Sequence, residues 1–146
     1  IMNTNNRTIS IIGCGYVGLV TGACLSFLGK KIICIDNNQK IINSLNSGKL
    51  TIYEKNLKKI FDKTLNKKLF FSNNLQYSIE NSSTTIIAVG TPLKNNKIDY
   101  KILKTAIKDL AIILKKKNSF HLILVKSTVL PTTCEKIIIP ILEKVF

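Results

Sequence analysis

The chain has 146 residues, a length that suits one domain, with 45% hydrophobic residues and a formal net charge of +14. All but one of its basic residues are lysines scattered along the chain, whereas nucleic-acid recognition favours arginine, so we disfavour nucleic acid as a partner. No apolar run approaches the ~20 residues that cross a bilayer, and four cysteines without a C-x-x-C pair disfavour a metal site and favour a reducing, cytoplasmic location.

The first predicted element is a short apolar strand at residues 9–12, which leads directly into three glycines. Gly13, Gly15 and Gly18 have the spacing G-x-G-x-x-G, and a helix is predicted to follow at residues 16–28. Gly13 would allow a tight turn, Gly15 would let a diphosphate approach the backbone, and Gly18 would let the helix lie close to the sheet. The context predicts a dinucleotide-binding turn.

A second strand at residues 31–35 ends in Asp36. A carboxylate about 20 residues after the glycines is the group that accepts hydrogen bonds from the adenosine ribose in this motif. Its charge would repel a 2′-phosphate, and no arginine follows it, so the sequence favours NAD over NADP as cofactor. The alternative is that Asp36 is only a turn residue.

Strands and helices then alternate to the end of the chain, with a polar loop predicted at residues 93–98. Further strands are predicted at residues 69–71, 84–89 and 120–125, and further helices near residues 38–46, 56–65, 75–80, 101–117 and from 133, where Pro140 should bend or interrupt the last one. Helical spacing gives the first helix a core-facing stripe of Val17, Val20, Cys24 and Phe27. The order predicts an α/β fold, a doubly wound parallel sheet (Rossmann-like) with helices on both faces.

Residues at the ends of the later strands are candidates for the same site. Thr91 follows the strand at 84–89, and Lys126 and Thr128 follow the strand at 120–125, so one pocket could gather them with Asp36 and the glycines. Threonine also caps turns, and Lys126 could equally be a solvated lysine or an anion contact. His121 lies in an apolar strand and is predicted to be structural, and the pair Tyr53-Glu54 has no role that the sequence assigns.

Several separated motifs resemble the UDP-glucose 6-dehydrogenases, within the UDP-glucose/GDP-mannose dehydrogenase family. The likeness begins with Ile-Gly-Cys-Gly-Tyr-Val-Gly-Leu-Val-Thr-Gly-Ala-Cys-Leu at residues 12–25. It continues at residues 34–36, 45–48, 52–54, 88–92 and 125–129, in the family's order, and so covers nearly the whole chain after Arg7.

The resemblance implies NAD as cofactor and a two-step oxidation of UDP-glucose to UDP-glucuronate through a thioester on a cysteine. It implies that Asp36 binds the ribose and that Thr91 and Thr128 contact the cofactor. It implies that the diphosphate is contacted by Gly13, Gly15, Tyr16, Val17 and Gly18. Thr128 is also the candidate near the reacting centre. Ile41 stands where the family has a basic residue, and Lys40, one position earlier, is the replacement candidate for the adenosine side.

We therefore expect residues 1–146 to be the NAD-binding domain of such an oxidoreductase, with the central domain and the substrate and catalytic-cysteine domain outside these residues. None of Cys14, Cys24, Cys34 and Cys134 matches the family's nucleophile, so we expect no turnover by this chain alone. A nucleotide sugar would be the substrate of the full-length protein, which could be a homo-oligomer. The alternatives are a non-catalytic nucleotide-binding module that acts with a partner chain, or another NAD-dependent nucleotide-sugar dehydrogenase.

Overall fold

A computed structural model describes residues 7–146, which form a five-stranded parallel sheet with helices on both faces. The strands are β1 (Ile9–Ile12), β2 (Ile32–Ile35), β3 (Leu69–Ser72), β4 (Thr84–Ile87) and, at one edge, β7 (Leu122–Val125). Their order across the sheet is β3-β2-β1-β4-β7, and all four pairings are parallel. This confirms the predicted doubly wound fold.

The helices divide between two apolar cores, one on each face of the sheet. On one face lie α1 (Tyr16–Phe27), α2 (Gln39–Asn46) and α3 (Leu57–Thr64), around a cluster that includes Leu19, Leu45 and Phe61. On the other face lie α4 (Leu75–Glu80), α5 (Lys101–Leu114) and α6 (Ile139–Val145), around a cluster that includes Ile87, Ile107 and Leu110. Strands β1, β2 and β4 contribute apolar residues to both cores, which explains why both faces of these strands are buried.

The predicted stripe of α1 is wrong. Its buried residues are Gly18, Leu19, Gly22, Ala23 and Ser26, whereas Val17 and Phe27 are half-exposed and Cys24 is exposed. Small side chains face the sheet because the helix lies so close to it that a Cβ at Gly22 would come within 2.6 Å of Cys34 Sγ. Of the four predicted residues, Val20 alone packs against the core.

Two later segments refine the predictions. The predicted loop at 93–98 is a small hairpin of β5 (Leu93–Lys94) and β6 (Lys97–Ile98), turned by Asn95 and Asn96, which both have positive φ, as in a type I′ turn. The last helix is interrupted as predicted: residues Cys134–Ile138 form a π-helical turn before α6. Pro140 has no N–H for the regular helical hydrogen bond to residue 136, so the helix cannot continue regularly across it.

Candidate cofactor site

The site lies at the carboxyl ends of the strands, where β1 and β4 are neighbours at the centre of the sheet. From β1 the chain goes outward to β2 and β3 on one side, and β4 and β7 lie on the other. In doubly wound sheets the helices diverge at such a point and leave a crevice for a ligand.

The three glycines of the turn have different physical reasons to be glycine. Gly13 has φ +107° and a Cβ there would lie 2.5 Å from the Ala88 carbonyl oxygen. A Cβ at Gly18 would lie 1.8 Å from the Gly13 carbonyl oxygen, so Gly18 is required for packing. A Cβ at Gly15 would meet no protein atom within 4 Å. Within residues 7–146, therefore, no protein atom excludes a side chain at position 15.

Gly15 is the N-cap residue of α1, and no side chain makes a capping hydrogen bond there. The first N–H groups of a helix have no partner within the helix, and they give its N-terminus a positive partial charge. The open space at Gly15 and these N–H groups together form a cradle that an anion such as a diphosphate would fill.

Asp36 fixes this turn from the neighbouring strand. Its Oδ2 accepts a hydrogen bond of 3.0 Å from the Cys14 N–H, and its Oδ1 accepts one of 2.9 Å from the Asn38 N–H. Because a carboxylate has about four acceptor positions, two remain for ligand hydroxyls. The carboxylate is therefore both a brace for the turn and an available acceptor.

Gly13, Gly15 and Asp36 line one pocket of about 660 Å³, which is within the usual size of a ligand site. Its floor is formed by the ends of β1, β2 and β4, through to Gly90, and one wall by α5. Ile41, Asn73 and Leu75 line it as well. The pocket thus joins the glycine turn to the acid.

Three other predicted residues lie near the turn but outside the pocket lining. Tyr16 and Val17 are the first two residues of α1, with half-exposed side chains, so only their backbone N–H groups belong to the cradle. Lys40 lies exposed near the start of α2, and it is Ile41 that contributes to the pocket. A role for Lys40 toward the adenosine side stays a prediction.

Thr91 and Thr128 are brought together beside the pocket and are not among its lining residues. Thr91 Oγ1 donates a hydrogen bond of 2.7 Å to the carbonyl oxygen of Thr128, and the neighbouring Ser127 Oγ donates one of 2.8 Å to the Val89 carbonyl oxygen. These bonds tie the loops after β4 and β7 to each other. Their roles toward a cofactor stay predictions.

The sequence reading missed the wall that α5 contributes. Its pocket-facing residues are Lys101, Ile102, Thr105, Ala106 and Asp109. The helix reads as an amphipathic cover for the sheet, and most of its apolar residues do face the core. The sequence signal for this wall is Ile102, an apolar residue outside the core-facing stripe that shares a second face of the helix with Thr105 and Asp109. In the structure Ile102 is 50% exposed.

Cys14, inside the glycine turn, is a free and buried thiol. A hydrogen bond with Cys34, together with burial, raises the pKa of Cys14 far above its ordinary range. A protonated, buried thiol is a poor nucleophile, which agrees with the expectation that Cys14 does no covalent chemistry.

His121 lies just before β7 begins, at the amino ends of the strands, whereas the pocket lies at their carboxyl ends. Its Nδ1 is 3.1 Å from Lys117 Nζ, and its Nε2 is 2.7 Å from Thr85 Oγ1. The ammonium of Lys117 can only donate, so Nδ1 accepts and Nε2–H donates to Thr85. Burial, with the nearby Lys117 charge, lowers the pKa of His121 to about 4.

Within residues 7–146, no group of histidine, cysteine and acidic side chains is placed to hold a metal ion, and no helix is long and apolar enough to cross a membrane.

Comparison with known proteins gives this geometry a family. The NAD binding domain of the UDP-glucose/GDP-mannose dehydrogenase family matches residues 7–145. The chain belongs to that family. Its cofactor is NAD. Members of the family are NAD-dependent nucleotide-sugar dehydrogenases.

Individual relatives resemble the chain over nearly all of its length. UDP-glucose 6-dehydrogenase of Rickettsia bellii is 38% identical over 94% of the chain and 32% of its own length, and GDP-mannose 6-dehydrogenase of Pseudomonas syringae pv. tomato is 37% identical over 92% of the chain and 31% of its own. A ternary complex of GDP-mannose dehydrogenase from Pseudomonas aeruginosa superimposes with a TM-score of 0.90 at 32% identity, over 94% of the chain and 32% of that protein. The chain thus spans about a third of these relatives.

Proposed function

We propose that this chain is the NAD-holding part of a UDP-glucose 6-dehydrogenase, in which the cofactor's diphosphate lies on the turn at Gly13–Gly18 and its adenosine ribose on Asp36. The observation that carries the proposal is the open space at Gly15, next to the first N–H groups of α1 and in the same pocket as Asp36. When bound, NAD supplies the hydride acceptor.

Each residue then has a defined task. The N–H groups of Tyr16 and Val17 would donate to the diphosphate, and Asp36 would accept from the ribose hydroxyls through the acceptor positions that Cys14 and Asn38 leave free. The apolar side chains of Ile41, Leu75 and Ile102 offer surface for the adenine ring. The pocket's lining includes two carboxylates, Asp36 and Asp109, and one ammonium, Lys101, so its net negative charge disfavours an additional phosphate.

We propose that Thr91 and Thr128, which follow β4 and β7, lie toward the cofactor's reactive end, with Thr128 nearest the reacting centre. Their mutual hydrogen bond supports this, since it holds two hydroxyl-bearing loops side by side next to the pocket. The catalytic cysteine of the family is expected on a further part of the protein, and so is the nucleotide-sugar pocket.

UDP-glucose is the proposed substrate of the whole protein, on the resemblance of the separated motifs at residues 12–25, 52–54 and 125–129. The GDP-mannose relatives are the observation that favours a second candidate, GDP-mannose, at nearly equal identity. We propose a cytoplasmic metabolic enzyme that could assemble as a homo-oligomer, with no nucleic-acid or membrane partner.

The experiment that tests the cofactor site compares NAD and NADP binding by calorimetry in the chain and in Gly15→Ala. The added methyl has room in the protein and would occupy the diphosphate cradle, so we expect at least about a tenfold rise in the NAD Kd with an unchanged or slightly higher unfolding midpoint. Wild-type affinity in this variant would remove the turn from the site.

A second variant tests the acid. Asp36→Ala removes both the ribose acceptor and the brace on the Cys14 N–H, so we expect about a 10- to 100-fold weaker NAD binding and a much smaller change in thermal unfolding without cofactor. Asp36→Asn keeps one acceptor oxygen, so it should weaken NAD binding less than Asp36→Ala does. Because it removes the negative charge, it should also reduce the protein's preference for NAD over NADP. Equal NAD affinity in the Ala variant would exclude Asp36 from the ribose role.

A further inference from the structure

The N-terminal turn of α1 is held by two carboxylates from other segments of the chain. Asp36, at the end of β2, accepts from the Cys14 N–H at the start of the turn. Glu54, in the loop before α3, accepts from the hydroxyl of Tyr16, the first residue of the helix. The helix supplies no such support itself, because its N-cap residue is a glycine and its first turn contains no acid.

Glu54 is well placed to act as a fixed point. Its second oxygen accepts a 3.1 Å hydrogen bond from the Lys55 N–H, and its carbonyl oxygen accepts one of 3.1 Å from the Leu57 N–H. Asn56 completes this tight turn with a φ of +66°, and Leu57, 2% exposed, is buried in the core cluster beneath. The Glu54 carboxylate therefore sits on a segment that is anchored at α3.

The contact itself is at the surface, since Tyr16 is 51% exposed. A hydrogen bond between exposed side chains adds little to global stability, because water competes for both partners. Its larger effect is local. It fixes the side chain of the residue whose own N–H belongs to the diphosphate cradle, in the helical turn that frays most easily.

We propose that Glu54 is a positioning residue for the cofactor: its bond to the Tyr16 hydroxyl holds the first turn of α1 so that the N–H groups of Tyr16 and Val17 stay aligned for the diphosphate. This rests on the proposed function of the glycine turn. It gives the pair Tyr53-Glu54, which the sequence left without a role, a division of tasks: Glu54 grips the turn, and Tyr53, 86% exposed, does not contribute.

The test is a double-mutant cycle on NAD affinity in this chain. Tyr16→Phe removes the hydroxyl and keeps the ring, and Glu54→Ala removes the acceptor. We expect each variant to raise the NAD Kd about 3- to 10-fold, and the double variant to be no weaker than the weaker single one, since both break the same bond. Glu54→Gln, whose amide oxygen can still accept, should restore most of the affinity.

Tyr53→Phe is the matched control and should bind NAD like the unaltered chain. Two further readouts separate positioning from general damage. Unfolding midpoints without cofactor should be nearly unchanged in all variants. Adenosine, which has no phosphate, should give the same chemical-shift titration in the chain and in Glu54→Ala.

Additive effects in the double variant, an unchanged Kd in Tyr16→Phe, or a Gln variant as weak as the Ala variant would each overturn the proposal. Tighter NAD binding in Glu54→Gln would do so too, because it would mean that the carboxylate opposes the diphosphate. If the unaltered chain itself did not bind NAD, the cofactor site would fail first, which distinguishes that failure from the failure of the Tyr16–Glu54 contact.

Discussion

The polar groups at the two ends of the strands differ in how they are hydrogen-bonded. We call the carboxyl ends of the strands the open edge of the sheet and the amino ends the closed edge. At the carboxyl ends of the strands, Gly15 faces open space and Asp36 keeps acceptor positions free beside a pocket. At the amino ends, the buried hydroxyls of Ser10 and Thr85 and the partly buried ring of His121 form a hydrogen-bonded chain. A polar group that is satisfied by the protein stabilises the fold, whereas one left with a free partner position is available to a ligand.

Lys117 completes the closed edge. Its ammonium donates to His121 Nδ1, to the Ile79 carbonyl oxygen at 2.9 Å and to the Ser82 carbonyl oxygen. The Lys117 side chain thereby caps the C-terminal end of α4 and orients the His121 ring. Burial lowers the pKa of Lys117, and the nearby Glu80 charge partly offsets this. Changes at this edge should alter stability and leave cofactor affinity intact, and the open edge should show the reverse.

Gly18 is an exception to this separation of stability from cofactor affinity. It belongs to the glycine motif at the open edge, but its packing against the Gly13 carbonyl group makes it important for stability. A methyl at Gly18 would lie 1.8 Å from the Gly13 carbonyl oxygen, so Gly18→Ala must push the helix away from the turn. We expect a loss of about 3 kcal/mol or more in the free energy of unfolding, measured by denaturant titration. Gly15→Ala is the matched control, and equal losses in the two variants would break the comparison.

Lys117→Met tests the closed edge. The substitution keeps an unbranched side chain, one atom shorter, and removes all three donated hydrogen bonds, so we expect a loss of about 1–2 kcal/mol in the free energy of unfolding. NAD affinity, measured on the folded protein, should not change. Lys116→Met, at the exposed neighbouring position, should be close to neutral. A weaker NAD Kd in Lys117→Met would connect the two edges and contradict their separation.

The closed edge also predicts a pH dependence. Because the pKa of His121 is lowered from 6.5 to about 4, the unfolded chain takes up a proton before the folded one does. The stabilising contribution is complete above pH 6.5 and is lost as the pH falls toward 4. We expect this contribution to the free energy of unfolding to be about 1 kcal/mol, because solvent reaches part of the ring and weakens the effect. Unfolding titrations across this range should show a steeper fall in the unaltered chain than in His121→Gln, and parallel curves would contradict the prediction.

Much of the site could be predicted because its residues lie in short local motifs. The spacing of Gly13, Gly15 and Gly18, and Asp36 at the end of the next strand, follow from strand–turn–helix geometry, and the structure brings Gly13, Gly15 and Asp36 into one pocket. The contribution of α5 could not be read this way, because Ile102 and Asp109 face the pocket only once that helix is packed at a particular rotation. The wrong stripe on α1 has the same origin: helical spacing gives the candidate faces, and the close approach to Cys34 selects the face of small residues.

By itself the sequence determined the alternation of strands and helices, the parallel sheet and the family, because periodicity, turn residues and motif spacing are properties of neighbouring positions. The tertiary structure alone decided which partners meet across long separations: Tyr16 with Glu54, Thr91 with Thr128, and Lys117 with the carbonyl oxygens of α4 and its following turn. These contacts depend on how the packed helices and loops are oriented against the sheet, and that orientation is fixed by steric fit and hydrogen bonding over the whole fold.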